Sequence, residues 1–150
     1  MTDLITVELV DLDLVATDKD AAARSLGERL LTAGRVSDLE QFLSDIRARE
    51  QQMATGIEGG IGIPHCRSEA VLVPTLGFGR STAGIDFGAE DGPAHLVFLI
   101  AAPAGGGSDH MTILAKLARK LVSPSFTQRL HSASVPQDVV DTINTEVLGQ

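Results

Sequence analysis

Leu96-Val97-Phe98-Leu99-Ile100-Ala101-Ala102 carries no polar side chain. An alternating pattern marks a strand wet on one face; an unbroken, β-branched-rich apolar run marks a strand covered on both. Such cover is supplied by helices, and the flanking sequence contains them. Downstream, Pro103-Ala104-Gly105-Gly106-Gly107-Ser108 reads as a loop feeding a helix from residue 109 to about 122. Ile113, Leu114, Leu117 and Leu121 form its apolar face, and Lys116, Arg119 and Lys120 sit in its last turns, where the helix dipole favours cations. Ser123-Pro124 predicts an N-cap with proline at the first helical position, for a short helix ending near His131. Ser134-Val135-Pro136-Gln137 opens a last helix whose core face is Val139, Val140, Ile143 and Val147.

Upstream the same alternation of elements continues. Residues 9–15 alternate apolar and acidic side chains and predict a half-buried strand. Thr17-Asp18-Lys19-Asp20 starts a helix that carries Ala22, Leu26 and Leu30 on one face and stops at Gly34. Ser37-Asp38-Leu39-Glu40 has the form of a capping box with Ser37 as N-cap, and Leu39, Phe42, Leu43 and Ile46 follow at helical spacing. Residues 72–80 predict a strand with Leu76 and Phe78 on one face and Gly77 and Gly79 on the other; glycines there mark a close approach by backbone or ligand. Ile85-Asp86-Phe87-Gly88 reads as a short edge element or turn. Strands alternating with helices, without repeat or linker, predict one α/β domain over residues 1–150, a sandwich around a single mixed β-sheet flanked by α-helices.

Composition narrows the function classes. The 150 residues suffice for a core without disulfides or metal. Hydrophobic residues make up 43% and charged residues 21%, a globular profile with a mean hydropathy of +0.14. With five Phe, no Trp and no Tyr, the core is aliphatic, and stacking platforms for single-stranded nucleic acid are missing. The net charge of −8, unbroken by a Lys/Arg cluster, argues against a phosphate-neutralising nucleic-acid surface. A lone Cys66 excludes an internal disulfide and a CxxC zinc motif. The N-terminus lacks a signal-peptide pattern and the longest apolar run is too short to span a bilayer, so the expected location is cytoplasmic.

Between the second helix and the first glycine-bearing strand lies Gly59-Gly60-Ile61-Gly62-Ile63-Pro64-His65-Cys66-Arg67. Pro64 fixes its own φ and biases Ile63 toward an extended backbone, so His65 is presented on a stiff strand end. An imidazole held there beside a cation suits a nucleophile for an anionic group; the plainer alternative is an ordinary loop histidine. Of the other three histidines, His131 reads as solvated and His95 as satisfying a strand end. His110 follows the triple-glycine loop in the first turn of a helix, where free N–H groups and the dipole favour an anion. Its own alternative is a first-turn residue without a role.

His65 and His110 together make a reasonable two-histidine phosphate site. Metal is the competing chemistry, but no HxxxH or HxH spacing exists, and no cofactor or metal is expected. A serine hydrolase would want a GxSxG elbow, and a nucleotide site a P-loop or Rossmann fingerprint; neither is present. Cys66 points opposite to His65 on an extended chain and reads as a small packed residue. Ile61 and Ile63 predict a shallow apolar surface around His65, fit to meet another protein's active site.

Arg49-Glu50, Thr55-Gly56-Ile57, Gly62-Ile63-Pro64-His65, Gly84-Ile85-Asp86-Phe87-Gly88, residues 96–103 and residues 109–118 together resemble the enzyme IIA domain of the fructose/mannitol class of the bacterial phosphoenolpyruvate-dependent sugar phosphotransferase system. The likeness runs over nearly the whole chain, in order. It implies a phosphoryl carrier that accepts from the phosphocarrier HPr and passes the group to an enzyme IIB cysteine, indirectly serving a membrane enzyme IIC. Neither nucleic acid nor the sugar itself is touched. His65 matches the phosphorylated histidine, His110 the second active-site histidine, and Arg49 an arginine close to the site. Cys66 departs from the glycine of many relatives. The fructose-type transport branch fits best; the alternatives are the nitrogen-regulatory branch and a non-catalytic enzyme IIA-like interaction module. The implied location is cytoplasmic, alone or within a membrane-associated permease complex.

Overall fold

Residues 96–102 form the middle of a strand paired along both edges, in a computed structural model that describes residues 3–105 and 109–149 without the side chains of Asp109 and His110. The strands are β1 (Val10–Asp11), β2 (Gly56–Ile57), β3 (Ile61–Gly62), β4 (His65–Ser68), β5 (Thr75–Ile85) and β6 (Ala94–Pro103). The helices are α1 (Lys19–Thr32), α2 (Leu39–Gln52), α3 (Asp109–Leu121), α4 (Pro124–Ser132) and α5 (Pro136–Glu146). The sheet is mixed. β5 pairs antiparallel with one edge of β6, while β3 and β4 both run parallel to β6. β1 joins β5 in parallel and β2 closes a hairpin onto β3. Every residue of β6 from Leu96 to Ala102 is buried, as a strand covered on both faces requires.

The helix signals hold with one shift. Asp18 caps α1 by accepting the Ala21 N–H at 2.8 Å. At the other end Gly34 takes φ +76°, its N–H donates to Leu31 and that of Arg35 to Leu30, a Schellman closure that uses glycine where a left-handed residue is needed. For α2 the cap is Asp38, not Ser37: Asp38 accepts from the Gln41 N–H at 3.1 Å. Ser37 is taken up elsewhere, its N–H and hydroxyl both donating to the Ala70 carbonyl. α4 and α5 begin at Pro124 and Pro136 as the prolines indicate.

Two strand readings change. Residues 9–15 give only a 3-10 turn (Val7–Leu9) and the two-residue β1. The Asp11 carboxylate accepts the Asp13 N–H at 3.0 Å, diverting the backbone from the ladder. The strand expected from residue 72 starts at Thr75, because Leu72 donates to Arg35 and Pro74 has no N–H to give. β5 then runs on to Ile85 through a bulge after Arg80.

The glycine face of β5 makes room for side chains. A Cβ on Gly79 would lie 2.6 Å from Leu14 Cδ2 and 3.3 Å from Leu26 Cδ1; one on Gly77 would lie 3.2 Å from Leu30 Cδ1. The absent side chains let α1 press Leu26 and Leu30, both fully buried, against the sheet. Truncating either to alanine would cost about 2–5 kcal/mol. Arg80 ties α4 down, its Nη1 donating to the carbonyls of Leu130, His131 and Ala133 at 2.7–3.1 Å. Among the described residues, no helix is long and apolar enough to cross a membrane.

Candidate functional site

Pro64 separates two strands that share one partner. β3 pairs Ile61 and Gly62 with Leu96 and Val97, and β4 resumes at His65 opposite Ile100. The Pro64 carbonyl accepts the Ile100 N–H at 3.0 Å, so the break is itself pinned to β6. His65 is therefore the first residue of a strand, half-buried, as the proline predicts. Beyond it the pleat alternates: Cys66 buried, Arg67 exposed, Ser68 buried.

The imidazole is oriented by its own chain. His65 Nδ1 lies 2.8 Å from the Ile63 carbonyl oxygen. A carbonyl only accepts, so Nδ1 carries a hydrogen, and in the neutral ring Nε2 then keeps the lone pair. A neutral ring in this tautomer is a nucleophile at Nε2.

His65 lines a hollow of 470 Å³ between α2, β4 and α3. α2 contributes Asp45, Ala48, Arg49 and Gln52, β4 contributes Cys66 and Arg67, and α3 contributes Met111 and Leu114. The structure thus brings Arg49 and His65 to one hollow. Arg49 Nη1 donates to the Met53 carbonyl at 3.2 Å, turning its guanidinium back over the end of α2. His110 belongs to the first turn of α3, whose next residues reach the hollow, but its side chain lies outside the described residues. The apolar part of the rim differs from the expectation. Ile61 and Ile63 are core residues, 1% and 6% exposed, and the exposed apolar side chain here is Met111 at 55%. Both isoleucine side chains are packed into the core, and the Ile63 carbonyl meets His65 Nδ1.

Cys66 is no nucleophile in this setting. Burial, and then the neighbouring Asp45 carboxylate, push its thiol up to about 12. Asp45 in turn accepts the hydroxyl of buried Ser68 at 2.6 Å. Two features of the site were not legible in the residues alone. One is that Asp45–Ser68 contact. The other is Glu50, which is buried and accepts from both the N–H (2.8 Å) and the hydroxyl (2.6 Å) of Thr55. Acidic residues five apart from a threonine carry no sequence signal; only the fold of the chain back from α2 creates the pair. A larger hollow, 600 Å³, lies between the β2–β3 turn and the α3–α4 junction, with no histidine or arginine in its wall. Among the described residues, no cluster of His, Cys, Asp and Glu is arranged to hold a metal ion.

Arg49, Arg67, Asp45 and the oriented His65 imidazole thus line one hollow. The family described as "Phosphoenolpyruvate-dependent sugar phosphotransferase system, EIIA 2" matches residues 3–146. This chain belongs to that family. It is a phosphotransferase component that carries phosphoryl groups. Among its relatives, the fructose-specific EIIA component of Haloferax volcanii is 40% identical over 147 residues, covering 95% of this chain and 96% of that one. Among solved structures, the nitrogen regulatory protein IIA-Ntr of Neisseria meningitidis superimposes with a TM-score of 0.85 at 26% identity, covering 93% of this chain and 96% of that one. The complex of enzyme IIA-mannitol with phosphorylated enzyme IIB-mannitol from Escherichia coli gives 0.77 at 26% identity, covering 97% and 98%.

Proposed function

We propose that this chain accepts a phosphoryl group from phospho-HPr on His65 Nε2 and delivers it to the cysteine of an enzyme IIB during fructose-type sugar uptake. The observation that carries the reading is the Nδ1–H hydrogen bond to the Ile63 carbonyl at 2.8 Å, which in the neutral ring leaves the lone pair on Nε2 of a side chain that lines the hollow. In the first step the Nε2 lone pair forms a bond to phosphorus while the donor's P–N bond breaks, its electron pair returning to the donor imidazole. In the second, the partner's thiolate sulfur takes the phosphorus and the His65 P–N bond breaks toward Nε2. Both transfers are in line and loose, so the protein contributes position and charge rather than covalent help. Arg49 stabilises the equatorial oxygens, and His110, with the first-turn N–H groups of α3, completes that cradle. The sugar is handled by a membrane enzyme IIC and never meets this chain.

The likeness to a fructose-specific EIIA component favours the transport branch. A regulatory reading, in which the phosphorylation state acts on partner proteins, has one observation in its favour: the fold match to IIA-Ntr. Reconstitution with phosphoenolpyruvate, enzyme I, HPr and a fructose-type enzyme IIB decides between them. Carrier function requires one acid-labile phosphoryl group by intact mass and its discharge onto the enzyme IIB; a label that stays put favours the regulatory role. A wild-type chain that takes no label, or a His65→Ala variant that still does, overturns the assignment.

A further inference from the structure

Glu50 sits in a place that is costly for a carboxylate. It lies in the last turn of α2, where the exposed carbonyl ends disfavour an anion, and its side chain is only 6% exposed. A buried carboxylate is retained only when its oxygens are paired. Here each oxygen has its own donor from one residue: Oε2 takes the Thr55 N–H at 2.8 Å and Oε1 takes the Thr55 hydroxyl at 2.6 Å. Lys19 Nζ stands 3.7 Å from Oε2. The carboxylate thus grips residue 55 just where the chain leaves α2 for the β2–β3 hairpin.

What Thr55 does next gives that grip a consequence. Its carbonyl accepts the Ile63 N–H at 3.1 Å, closing the hairpin immediately before Pro64. The carbonyl of that same Ile63 accepts the His65 Nδ1–H at 2.8 Å. Pro64, with its fixed φ, leaves little slack between Ile63 and His65. A continuous path of hydrogen bonds therefore runs from the Glu50 carboxylate through Thr55 and Ile63 to the ring. An unconstrained imidazole in water favours the Nε2–H tautomer, which has no lone pair at Nε2. Holding the Ile63 carbonyl in place selects the opposite one.

We infer that Glu50 is a positioning residue for His65: through Thr55 and the Ile63 carbonyl it fixes the tautomer that leaves Nε2 nucleophilic. The inference rests on the reading of His65 as the phosphoryl acceptor. Its test uses 15N-labelled wild type, Glu50→Gln, Thr55→Val and Thr55→Ser. The amide of Glu50→Gln would retain one acceptor oxygen for two donors, Thr55→Val would remove the hydroxyl alone, and Thr55→Ser would keep both donors. Long-range 1H–15N spectra at alkaline pH report the His65 tautomer, and rapid-quench assays report phosphoryl uptake from phospho-HPr.

Wild type and Thr55→Ser should hold the Nδ1–H form. Glu50→Gln and Thr55→Val should populate Nε2–H and lose on the order of ten-fold in the saturated uptake rate, the scale seen for outer partners of a functional histidine, with little change in KM. Should Glu50→Gln fail to fold, Thr55→Val decides alone. A folded Thr55→Val protein with an unchanged His65 tautomer overturns the clamp while leaving the acceptor assignment intact. A tautomer shift in a protein whose wild-type form takes no label at His65 overturns the acceptor assignment instead.

Discussion

His65 and His95 make the same hydrogen bond in different company. Each ring places Nδ1 2.8 Å from a backbone carbonyl, that of Ile63 for His65 and that of Ser81 for His95, and each is half-buried at the start of a strand. The carbonyl for His65 lies two residues back on its own chain, and the ring opens into a hollow lined by Arg49 and Arg67. The carbonyl for His95 comes from the neighbouring β5, and the ring is boxed in: a Cβ on Gly84 would lie 3.1 Å from its Cε1 and one on Gly60 3.6 Å from its Cδ2. An oriented imidazole is therefore not a sufficient sign of a phosphoryl acceptor. On the proposed reading, the hollow and the two arginines that line it make the difference.

The comparison breaks most visibly by deletion. His65→Ala should abolish the acid-labile label in the reconstituted system, whereas His95→Ala should take it up as wild type does. Label on the His65→Ala protein, or its loss from a folded His95→Ala protein, would invert the two roles. A second check asks whether the neighbour of His65, rather than His65, is reactive. With its thiol raised from 9.0 to about 12, Cys66 should react with iodoacetamide near neutral pH roughly a thousand-fold more slowly in the native chain than in urea, since only the thiolate attacks. The same shift makes folding sensitive to base. The native thiol holds its proton longer than the unfolded one, so stability is unaffected below pH 9.0 and falls as pH climbs toward about 12. Rapid alkylation of the native protein would show that Cys66 is accessible to chemistry after all.

The cations of the hollow come next in size. Arg49→Gln should slow onward transfer from the phosphorylated protein by roughly a hundred-fold, the usual loss for one donor to a charged transition state. His110→Ala should still be labelled at His65 and show a similar loss, with His110→Gln recovering part of it. Single-turnover transfer to enzyme IIB reads all three. Wild-type rates in His110→Ala would leave Arg49 and the backbone N–H groups of α3 as the whole cradle.

Why the sequence exposed some of this and hid the rest follows from what each signal encodes. β6 and the helices after it were legible because continuous apolar runs and Ser-Pro starts depend on near neighbours in the chain. The strand-end placement of His65 was legible because Pro64 constrains the backbone locally while Gly59 and Gly60 allow the positive-φ turn before it. Gly77 and Gly79 were misleading in kind: a glycine in a strand reports a close approach but not its source, and the source is Leu14 and α1 rather than a ligand. Ile61 and Ile63 precede His65 at the same alternation, in unbroken register along β6, yet are buried, because cover along that face, not adjacency or the pleat, decides which side chains reach the surface. Glu50 was hidden for a stronger reason. Its partner Thr55 is reached only after α2 ends and the chain reverses, and no local pattern records that meeting.

The smallest expected effect concerns what His95 does instead of phosphoryl chemistry. Its charge reaches His131, whose pKa is held below the ordinary 6.5, first by partial burial, then by the charge of His95, then by that of Arg80. A histidine so placed binds its proton later in the folded chain than in the unfolded one. The unfolded state thus holds more protons through this window, and stability falls as pH drops from 6.5 through the lower folded value. His95→Ala removes one of the two charges that oppose protonation of His131. The His131 titration, followed by its ring resonances, should move upward, and the acid side of the stability profile should soften with it. Arg80 and burial remain, so the shift should be partial and the value should stay below that of a free imidazole. An unmoved His131 titration in a folded His95→Ala protein would show that the two rings do not sense each other. His95 would then be a strand-end anchor to Ser81 and nothing more, and its contrast with His65 would be complete.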